Sequence, residues 1–158
     1  MGKEIERRFL VKSTEWEKEV SQEINCIQGY LSIDYDRIAR VRITDDQSIF
    51  TVKGRRINRE CPEFNYSIPR NDAEEMLKLC FQPYIVKTRK IINFQGYIWE
   101  IDVFKNENSG LIIAEIELSD RNENFTKPDW LGEEITEDLR YSNSNLILHP
   151  FNTWKNGI

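Results

Sequence analysis

Apolar and polar residues alternate with a period of two along most of the chain, which is the pattern of half-buried β-strands. Short polar loops such as Asn93-Phe94-Gln95-Gly96 separate neighbouring runs and favour antiparallel hairpins over parallel strands with long crossovers. The pattern therefore predicts a mainly β protein of the α+β class. We predict eight strands, at residues 4–11, 26–33, 38–43, 49–53, 63–68, 86–92, 97–104 and 111–118.

Three segments depart from this alternation and are predicted to be helical. Residues 13–17 offer a cap and an acidic first turn, and a second helix opens at Asn71 and closes before Pro83. The third covers residues 130–141, with a further helical turn or two at 144–148. No internal repeat or linker divides the 158 residues, so we treat residues 1–158 as a single domain, long enough to bury a hydrophobic core.

Most of the predicted strands carry charge on one face. Arg40 and Arg42, for example, alternate with the apolar Val41, and similar splits recur on at least six strands. A charged strand face is usually the solvated side of an antiparallel sheet. Here, however, like charges lie side by side within the apolar runs, which favours a sheet closed into a barrel with the charges facing its lumen. The alternation alone leaves both arrangements open.

An inward charged face would fill the lumen with groups that are too costly to bury without a ligand. Bases clustered on some strands suit several phosphates, and acids on the first and last strands suit hard divalent cations. We therefore predict a metal complex of a polyphosphate as ligand, with the apolar outer face covered by the helical segments or by a second copy of the chain. The acids of this face are Glu4, Glu6, Glu63, Glu100, Asp102, Glu115 and Glu117, and the bases are Arg8, Arg40, Arg42, Lys53, Lys87 and Arg89.

Composition excludes several other classes of function. The net charge is −5, from 22 Lys and Arg against 27 Asp and Glu, so a chain-wide basic surface for nucleic acid or anionic lipid is absent. His149 is the single histidine, and the three cysteines are not in zinc, iron–sulfur or haem spacing. Neither a membrane-spanning run nor a signal peptide is found, and we predict a cytoplasmic protein without nucleic-acid or membrane partners.

A series of short motifs runs along nearly the whole chain. They are Glu4-Ile5-Glu6-Arg7-Arg8-Phe9-Leu10-Val11, Gln28-Gly29-Tyr30-Leu31, Arg40-Val41-Arg42, Thr51-Val52-Lys53-Gly54, Lys87-Thr88-Arg89, Glu100-Ile101-Asp102-Val103-Phe104, Ala114-Glu115-Ile116-Glu117 and residues 132–141. The first resembles the ExExK signature of the CYTH superfamily, the triphosphate tunnel metalloenzymes. The other motifs, and the order in which they occur, also resemble this superfamily. The resemblance is greatest to its small bacterial members.

This resemblance implies an eight-stranded antiparallel tunnel that binds triphosphate compounds with Mg²⁺ or Mn²⁺. The metal carboxylates that it implies are Glu4, Glu6, Glu115 and Glu117, with Glu100 and Asp102 as candidates for a second metal. The substrate ligands that it implies are Arg8, Arg40, Arg42, Lys53, Lys87, Arg89 and Arg140. Candidate catalytic groups are Arg8, Tyr30, Glu63, Lys87 and Asp102. Packing is an alternative role for Tyr30, and salt bridges to neighbouring bases are an alternative for Glu63, Glu100 and Asp102.

Two positions depart from the family pattern. Arg8 stands where the signature has lysine, and Asn65 stands where the middle acidic strand usually carries a second acid. Arginine keeps its proton at any working pH and cannot take the proton-transfer role of a desolvated lysine. Asn65 can offer a carbonyl oxygen to a metal but adds no negative charge. We therefore expect either reduced activity or a changed substrate.

The predicted activity is hydrolysis of a triphosphate by a metal-activated water, with inorganic tripolyphosphate as the first-choice substrate. The small size of the chain leaves no evident nucleoside pocket. Thiamine triphosphate or nucleoside triphosphates would be secondary substrates. Two alternatives stay open on the sequence alone: the adenylate cyclase branch of the same superfamily, and a polyphosphate-binding or sensing module with little turnover.

Overall fold

The computed structural model describes residues 2–58 and 60–154, with the backbone alone for residues 2–4. Each of the eight predicted strands is present, which confirms the mainly β class. The second strand begins several residues earlier than predicted, because its polar first half pairs with a neighbour without alternating in burial. The strands are β1 Gly2–Val11, β2 Val20–Asp34, β3 Arg37–Thr44, β4 Ser48–Lys53, β5 Glu60–Ser67, β6 Ile85–Phe94, β7 Tyr97–Phe104, β8 Ile112–Glu117 and β9 Leu131–Glu134.

Eight of these strands close into a barrel in the order β1-β5-β4-β3-β2-β6-β7-β8, with β8 returning to β1. Closure depends on β1, whose first half pairs with β5 and whose second half pairs with β8. The neighbouring strands are antiparallel throughout. The predicted eight-stranded antiparallel barrel is therefore confirmed.

Helices are few and short. The main ones are α1 Arg70–Leu77 and α2 Asn143–Leu148, and single 3₁₀ turns occur at Glu15–Glu19, Asn106–Asn108, Leu139–Tyr141 and Phe151–Thr153. Helix α1 ends before its predicted limit, and the backbone goes on in turns, with the Cys80 N–H donating to the Leu77 carbonyl. Of the described helices, none has the length and apolar character needed to cross a bilayer.

The predicted helix at residues 130–141 is wrong over Leu131–Glu134, which forms β9. This strand pairs with the end of β1 at Phe9 and Val11. Gly132 allows the approach, since a Cβ there would lie 2.9 Å from the Leu10 carbonyl oxygen. Leu131 is buried in the outer core beside Phe9. Pairing and burial against a distant strand thus outweigh the local helical pattern.

Two apolar clusters cover the outside of the barrel. The larger one joins Phe9 of β1, Trp99 of β7 and Ile116 of β8 with Trp16 and Trp130 from the flanking segments. The second lies on β2, β3 and β4, where α1 inserts Ala73 and covers the strands. Segments of the chain itself therefore bury much of the outward apolar face.

A third apolar cluster lies at one end of the lumen. Tyr30, Phe104 and Ile113 share the inward parity of their strands, and Leu146 and Ile147 of α2 pack on them. Helix α2 therefore plugs the barrel end. This corrects the expectation that all three helical segments cover the outer face. The inward residues at this end are apolar, and they are buried only when another segment enters the barrel.

Candidate active site

The charged strand faces point into the barrel, as predicted. The lumen contains two adjoining cavities, and Glu6, Arg40, Lys53 and Asn143 line both of them. The first, about 200 Å³, lies against the segment that carries α2, and we name it the plug-side cavity. The second, about 270 Å³, contains most of the acids and is named the acid-rich cavity. The solvated-face alternative for the charged strands is therefore wrong.

The two cavities bring together most of the predicted site residues. The plug-side cavity adds Arg8 and Tyr30 to the shared set. The acid-rich cavity adds the remaining predicted residues of the lumen wall, which are Arg42, Glu63, Arg89, Glu100, Glu115 and Glu117. Bases from four strands and acids from four thus face one another across a space that would fit a small polyanion.

Two buried arginines in the lumen each have a nitrogen atom without a hydrogen-bond partner in the described part of the chain. Arg8 donates from Nε to Glu115 Oε2 at 3.1 Å, and Arg40 donates from Nη2 to Thr51 Oγ1 at 3.1 Å. Yet Arg8 Nη2 and Arg40 Nε are buried and have no hydrogen-bond partner within residues 2–58 and 60–154. A buried donor without an acceptor is costly. Both sites therefore favour an anionic ligand that brings oxygen atoms.

Arg42 lies close to other cations. Its Nε donates to Gln28 Oε1 at 2.9 Å. Burial, together with repulsion from Arg40 and Arg89, lowers the pKa of Arg42 from its ordinary value. Carboxylates in the lumen therefore do not fully cancel the repulsion among these arginines. A bound polyanion would reduce that repulsion.

Asp102 holds Arg89 and Lys87 in the barrel wall. It accepts hydrogen bonds from Arg89 at 2.7 and 2.9 Å and from Lys87 Nζ at 2.7 Å. The side chains of Lys87 and Asp102 are 0% exposed, and neither lines the two cavities. Burial opposes ionisation of Asp102, but Arg89 and Lys87 outweigh it and hold the pKa of this carboxyl well below its usual range.

Like-charged carboxylates face each other at two places on β8. Glu6 is the register partner of Glu117, and Glu100 is the register partner of Glu115. Burial raises the pKa of Glu100 even though Arg89 lies 3.2 Å away. For Glu115 burial also opposes ionisation, but Arg8 and Arg89 outweigh it and lower the pKa. Like charges opposite each other destabilise a sheet unless a cation lies between them.

The donor chemistry of this region fits a hard divalent cation. Glu6 and Glu117 both line the acid-rich cavity, and carboxylate oxygens are the ligands that Mg²⁺ and Mn²⁺ prefer. Among the described residues, however, His, Cys, Asp and Glu side chains form no group of three or more that could hold a metal ion. The side chain of Glu4, the other predicted ligand of this strand, lies outside the described residues.

The two departures from the family pattern lie in different cavities. Arg8 lines the plug-side cavity, and Asn65 lines the acid-rich cavity. Asn65 Oδ1 accepts a hydrogen bond from Thr51 Oγ1 at 2.6 Å, which ties it to the residue that holds Arg40. Next to it, Glu63 lies 3.3 Å from Lys53 Nζ. The middle strand therefore offers one carboxylate, and that carboxylate is already paired with a base.

Tyr30 packs in the apolar plug and also lines the plug-side cavity. Its hydroxyl accepts a hydrogen bond from Gln28 Nε2 at 3.0 Å. Both roles considered for it, packing and a place at the site, are thus compatible with its position.

Arg140 is a predicted substrate ligand that lies apart from the lumen. Its guanidinium pairs with Asp138 at 2.7 Å, and its side chain is 50% exposed. It lies over the rings of Tyr141 and Trp154, outside the walls of both cavities. The structure therefore places Arg140 on the surface beside the plug.

Several residues of the lumen were missed by the sequence analysis. Gln28 and Thr51 lie two positions before Tyr30 and Lys53, so the alternation could have identified them as inward groups. Arg56 lines the plug-side cavity from the connection after β4, where no alternation applies. Its position could not be read from a strand pattern.

Comparisons with known proteins agree with this architecture. Residues 2–151 match the CYTH domain family. The chain is 45% identical over 156 residues to the inorganic triphosphatase of Acetivibrio thermocellus, which covers 98% of this chain and 99% of that protein. It is 33% identical over 153 residues to the inorganic triphosphatase of Nitrosomonas europaea, covering 92% and 97%. A crystal structure of an inorganic triphosphatase aligns with a TM-score of 0.67 at 31% identity, over 92% and 97% of the two chains. The chain therefore belongs to the CYTH family.

Proposed function

We propose that this chain is a metal-dependent triphosphatase that hydrolyses inorganic tripolyphosphate to pyrophosphate and orthophosphate. The observation that carries the proposal is the pair of buried arginines, Arg8 and Arg40, each with a nitrogen that lacks a partner in the described part of the chain. Phosphate oxygens are strong acceptors for such donors. Two relatives that are 45% and 33% identical bear the name inorganic triphosphatase, which supports the same substrate.

The bases of the lumen suit an extended polyanion. Arg40 and Lys53 line both cavities, so one ligand can bridge the two. Arg8 would contact it on the plug side, and Arg42 and Arg89 would contact it on the other. Each charge-assisted contact contributes about 1.5–3 kcal/mol. A triphosphate carries enough oxygens along its length to satisfy this set, whereas a single phosphate does not.

Glu6 and Glu117 would hold the divalent cation, Mg²⁺ or Mn²⁺, with Glu4, Glu100 and Glu115 as further candidate carboxylates. When bound, such a cation neutralises phosphate charge and makes water a better nucleophile. The two facing carboxylates of Glu6 and Glu117 supply the negative charge that such a cation requires. Asp102 is better assigned to positioning, since Arg89 and Lys87 already occupy its oxygens.

Phosphoryl transfer depends on alignment and charge stabilisation more than on covalent help. Water attacks the terminal phosphorus, and the bond from that phosphorus to the bridging oxygen breaks as pyrophosphate leaves. Arg40, Lys53 and Arg89 stabilise the charge on the phosphoryl oxygens. Glu63, 3.3 Å from Lys53, is our candidate for orienting the attacking water.

Arg8 and Tyr30 share the plug-side cavity, where a lysine in place of Arg8 would allow proton transfer. Because a guanidinium keeps its proton, Arg8 serves here as a clamp for the substrate. Tyr30, held by Gln28, is one group in this cavity that carries a transferable proton.

We also propose that the protein works in a reducing compartment, the cytoplasm. Cys26, Cys61 and Cys80 are buried, and none of the three forms a disulfide bond. Reduced cysteines are typical of proteins kept in reducing surroundings.

The test is product analysis by ³¹P nuclear magnetic resonance after incubation with tripolyphosphate or ATP in the presence of Mg²⁺ or Mn²⁺. We expect pyrophosphate and orthophosphate from tripolyphosphate, and much slower turnover of ATP. Formation of cyclic AMP from ATP would instead support the cyclase alternative. Tight binding of tripolyphosphate without turnover would support a sensing module and contradict the proposal.

A further inference from the structure

Arg56 reaches the lumen from outside the sheet. It follows β4 in the connection to β5 and lines the plug-side cavity together with Arg8, Arg40 and Lys53. Its Nη2 donates to Glu6 Oε1 at 2.9 Å, with 19% and 12% of the two side chains exposed. The neighbouring Arg55 turns outward, where it pairs with Asp36 on the surface. Of these two adjacent arginines, Arg56 therefore lies at the lumen and Arg55 lies on the outer surface.

Glu6 lies between the proposed cation site and the proposed triphosphate site. It faces Glu117 across the strand pair, and it lines both cavities. In the structure Arg56 supplies positive charge to this carboxylate. A divalent cation bound at Glu6 would neutralise the carboxylate in place of Arg56. The ion pair between Glu6 and Arg56 would weaken, because the same carboxylate cannot interact at full strength with both cations.

We propose that Arg56 is a substrate-binding residue that shares Glu6 with the divalent cation. It pairs with Glu6 before the cation binds, and it contacts the triphosphate once the cation occupies Glu6. This inference rests on the proposed function, since it assigns Glu6 to the cation and the lumen to a triphosphate. The release of Arg56 places a fourth base in a cavity that already contains Arg8, Arg40 and Lys53, so a polyanion is needed to balance the charge.

The proposal predicts opposite effects of one substitution on two ligands. Arg56→Gln removes the competitor for Glu6, so the cation should bind more tightly when triphosphate is absent. The same change removes a base that contacts the substrate once the cation is bound, so a tripolyphosphate analogue that resists hydrolysis should bind more weakly when the cation is saturating. A residue that merely anchors its loop would change both affinities in the same direction or neither.

The experiment measures the cation without the triphosphate, and the triphosphate with the cation bound. Binding of Mn²⁺ is followed from the electron paramagnetic resonance of free Mn²⁺, and binding of a tripolyphosphate analogue whose bridging atoms resist hydrolysis is followed by calorimetry at saturating Mn²⁺. For Arg56→Gln we expect the affinity for Mn²⁺ to rise several-fold and the affinity for the analogue to fall by about tenfold or more. Arg55→Gln is the matched control and should leave both affinities near those of the wild type.

Two further variants keep the outcome decisive. Glu6→Gln should abolish the effect of Arg56→Gln on Mn²⁺ binding, because the shared carboxylate is gone. If Arg56→Gln does not fold, Arg56→Met keeps much of the apolar stem and removes the charge, and should give the same two opposite changes in affinity. Unchanged affinities, or changes in one direction, in a folded Arg56 variant overturn the proposal. A wild-type protein that binds neither ligand refutes the proposed function itself.

Discussion

Lys87 and Asp102 lie 2.7 Å apart in the barrel wall, with both side chains excluded from solvent. Asp102 also accepts two hydrogen bonds from Arg89, which lines the acid-rich cavity. The same carboxylate therefore pairs with two buried bases and sets the position of Arg89, which we propose binds the substrate. A base held in this way needs less ordering when substrate binds.

Removing this carboxylate should destabilise the barrel. Asp102→Asn removes the carboxylate paired with the buried Lys87 and one of the carboxylates paired with Arg89, and breaking a buried pair costs about 3–5 kcal/mol. The folded-state pKa of Asp102 lies below its unfolded value, so its contribution is complete above the unfolded pKa and is lost as the pH falls through the folded pKa. Urea unfolding from neutral to acid pH should show a smaller acid-induced loss of stability in Asp102→Asn than in the wild type.

Glu100→Gln is the control for this measurement. Burial raises the pKa of Glu100, so its ionised form does not favour folding, and the variant should match or exceed the stability of the wild type at neutral pH. Equal stability of Asp102→Asn and the wild type would show that the ion pair is not required.

The facing pair of Glu6 and Glu117 should determine the cation requirement. Glu117→Gln removes one of the two opposed charges, so the concentration of Mg²⁺ needed for half-maximal activity should rise by about tenfold or more. Glu107→Gln removes an exposed acid outside the lumen and serves as the control. A Glu117 variant that needs no more Mg²⁺ than this control would remove Glu117 from the cation site.

Lys53 lines both cavities, so its loss should affect binding of the whole substrate. Lys53→Ala should raise the Km for tripolyphosphate about 10- to 150-fold and change its dependence on salt, because one charge-assisted contact is lost. Lys12→Ala, on an exposed position, is the control. The same Km in both variants would argue that Lys53 only balances the charge of Glu63.

Substitutions at Arg8 and Asn65 that restore the family residues should increase activity, whereas the substitutions above should decrease it. Arg8→Lys restores a group that can transfer a proton, and general acid–base help is typically worth about 10² to 10⁴ in rate. Asn65→Glu restores negative charge in the acid-rich cavity. We expect either variant to raise kcat for tripolyphosphate, and the double variant to show coupling. A lower kcat in either one would indicate that the native residue is adapted to a different triphosphate.

Alternation along the chain predicted the strands and showed that most of them carry one charged face. It left open whether those faces are solvated or line a lumen, and the like charges side by side within the apolar runs favoured the closed barrel that the structure has. The same alternation could have added Gln28 and Thr51. It could not show β9, since Leu131–Glu134 becomes a strand by pairing with β1 more than a hundred residues away.

The sequence also could not predict those residue roles that depend on which side chains pair with one another. Asp102 and Glu115 share the parity of the lumen, but Asp102 is fully taken up by Arg89 and Lys87, whereas Glu115 still lines a cavity. Arg56 enters the lumen from an irregular connection, and only the folded chain places it beside Glu6. Such pairings depend on distances across the barrel, which strand patterns do not encode.

The measurement that tests the central claim most directly is a crystal structure of the protein with Mn²⁺ and a tripolyphosphate analogue whose bridging atoms resist hydrolysis. Anomalous scattering would locate the Mn²⁺. The account predicts Mn²⁺ at the carboxylates of Glu6 and Glu117, and the analogue inside the barrel in contact with Arg40 and Lys53. Mn²⁺ and analogue found only on the outer surface, with the lumen unchanged, would contradict it.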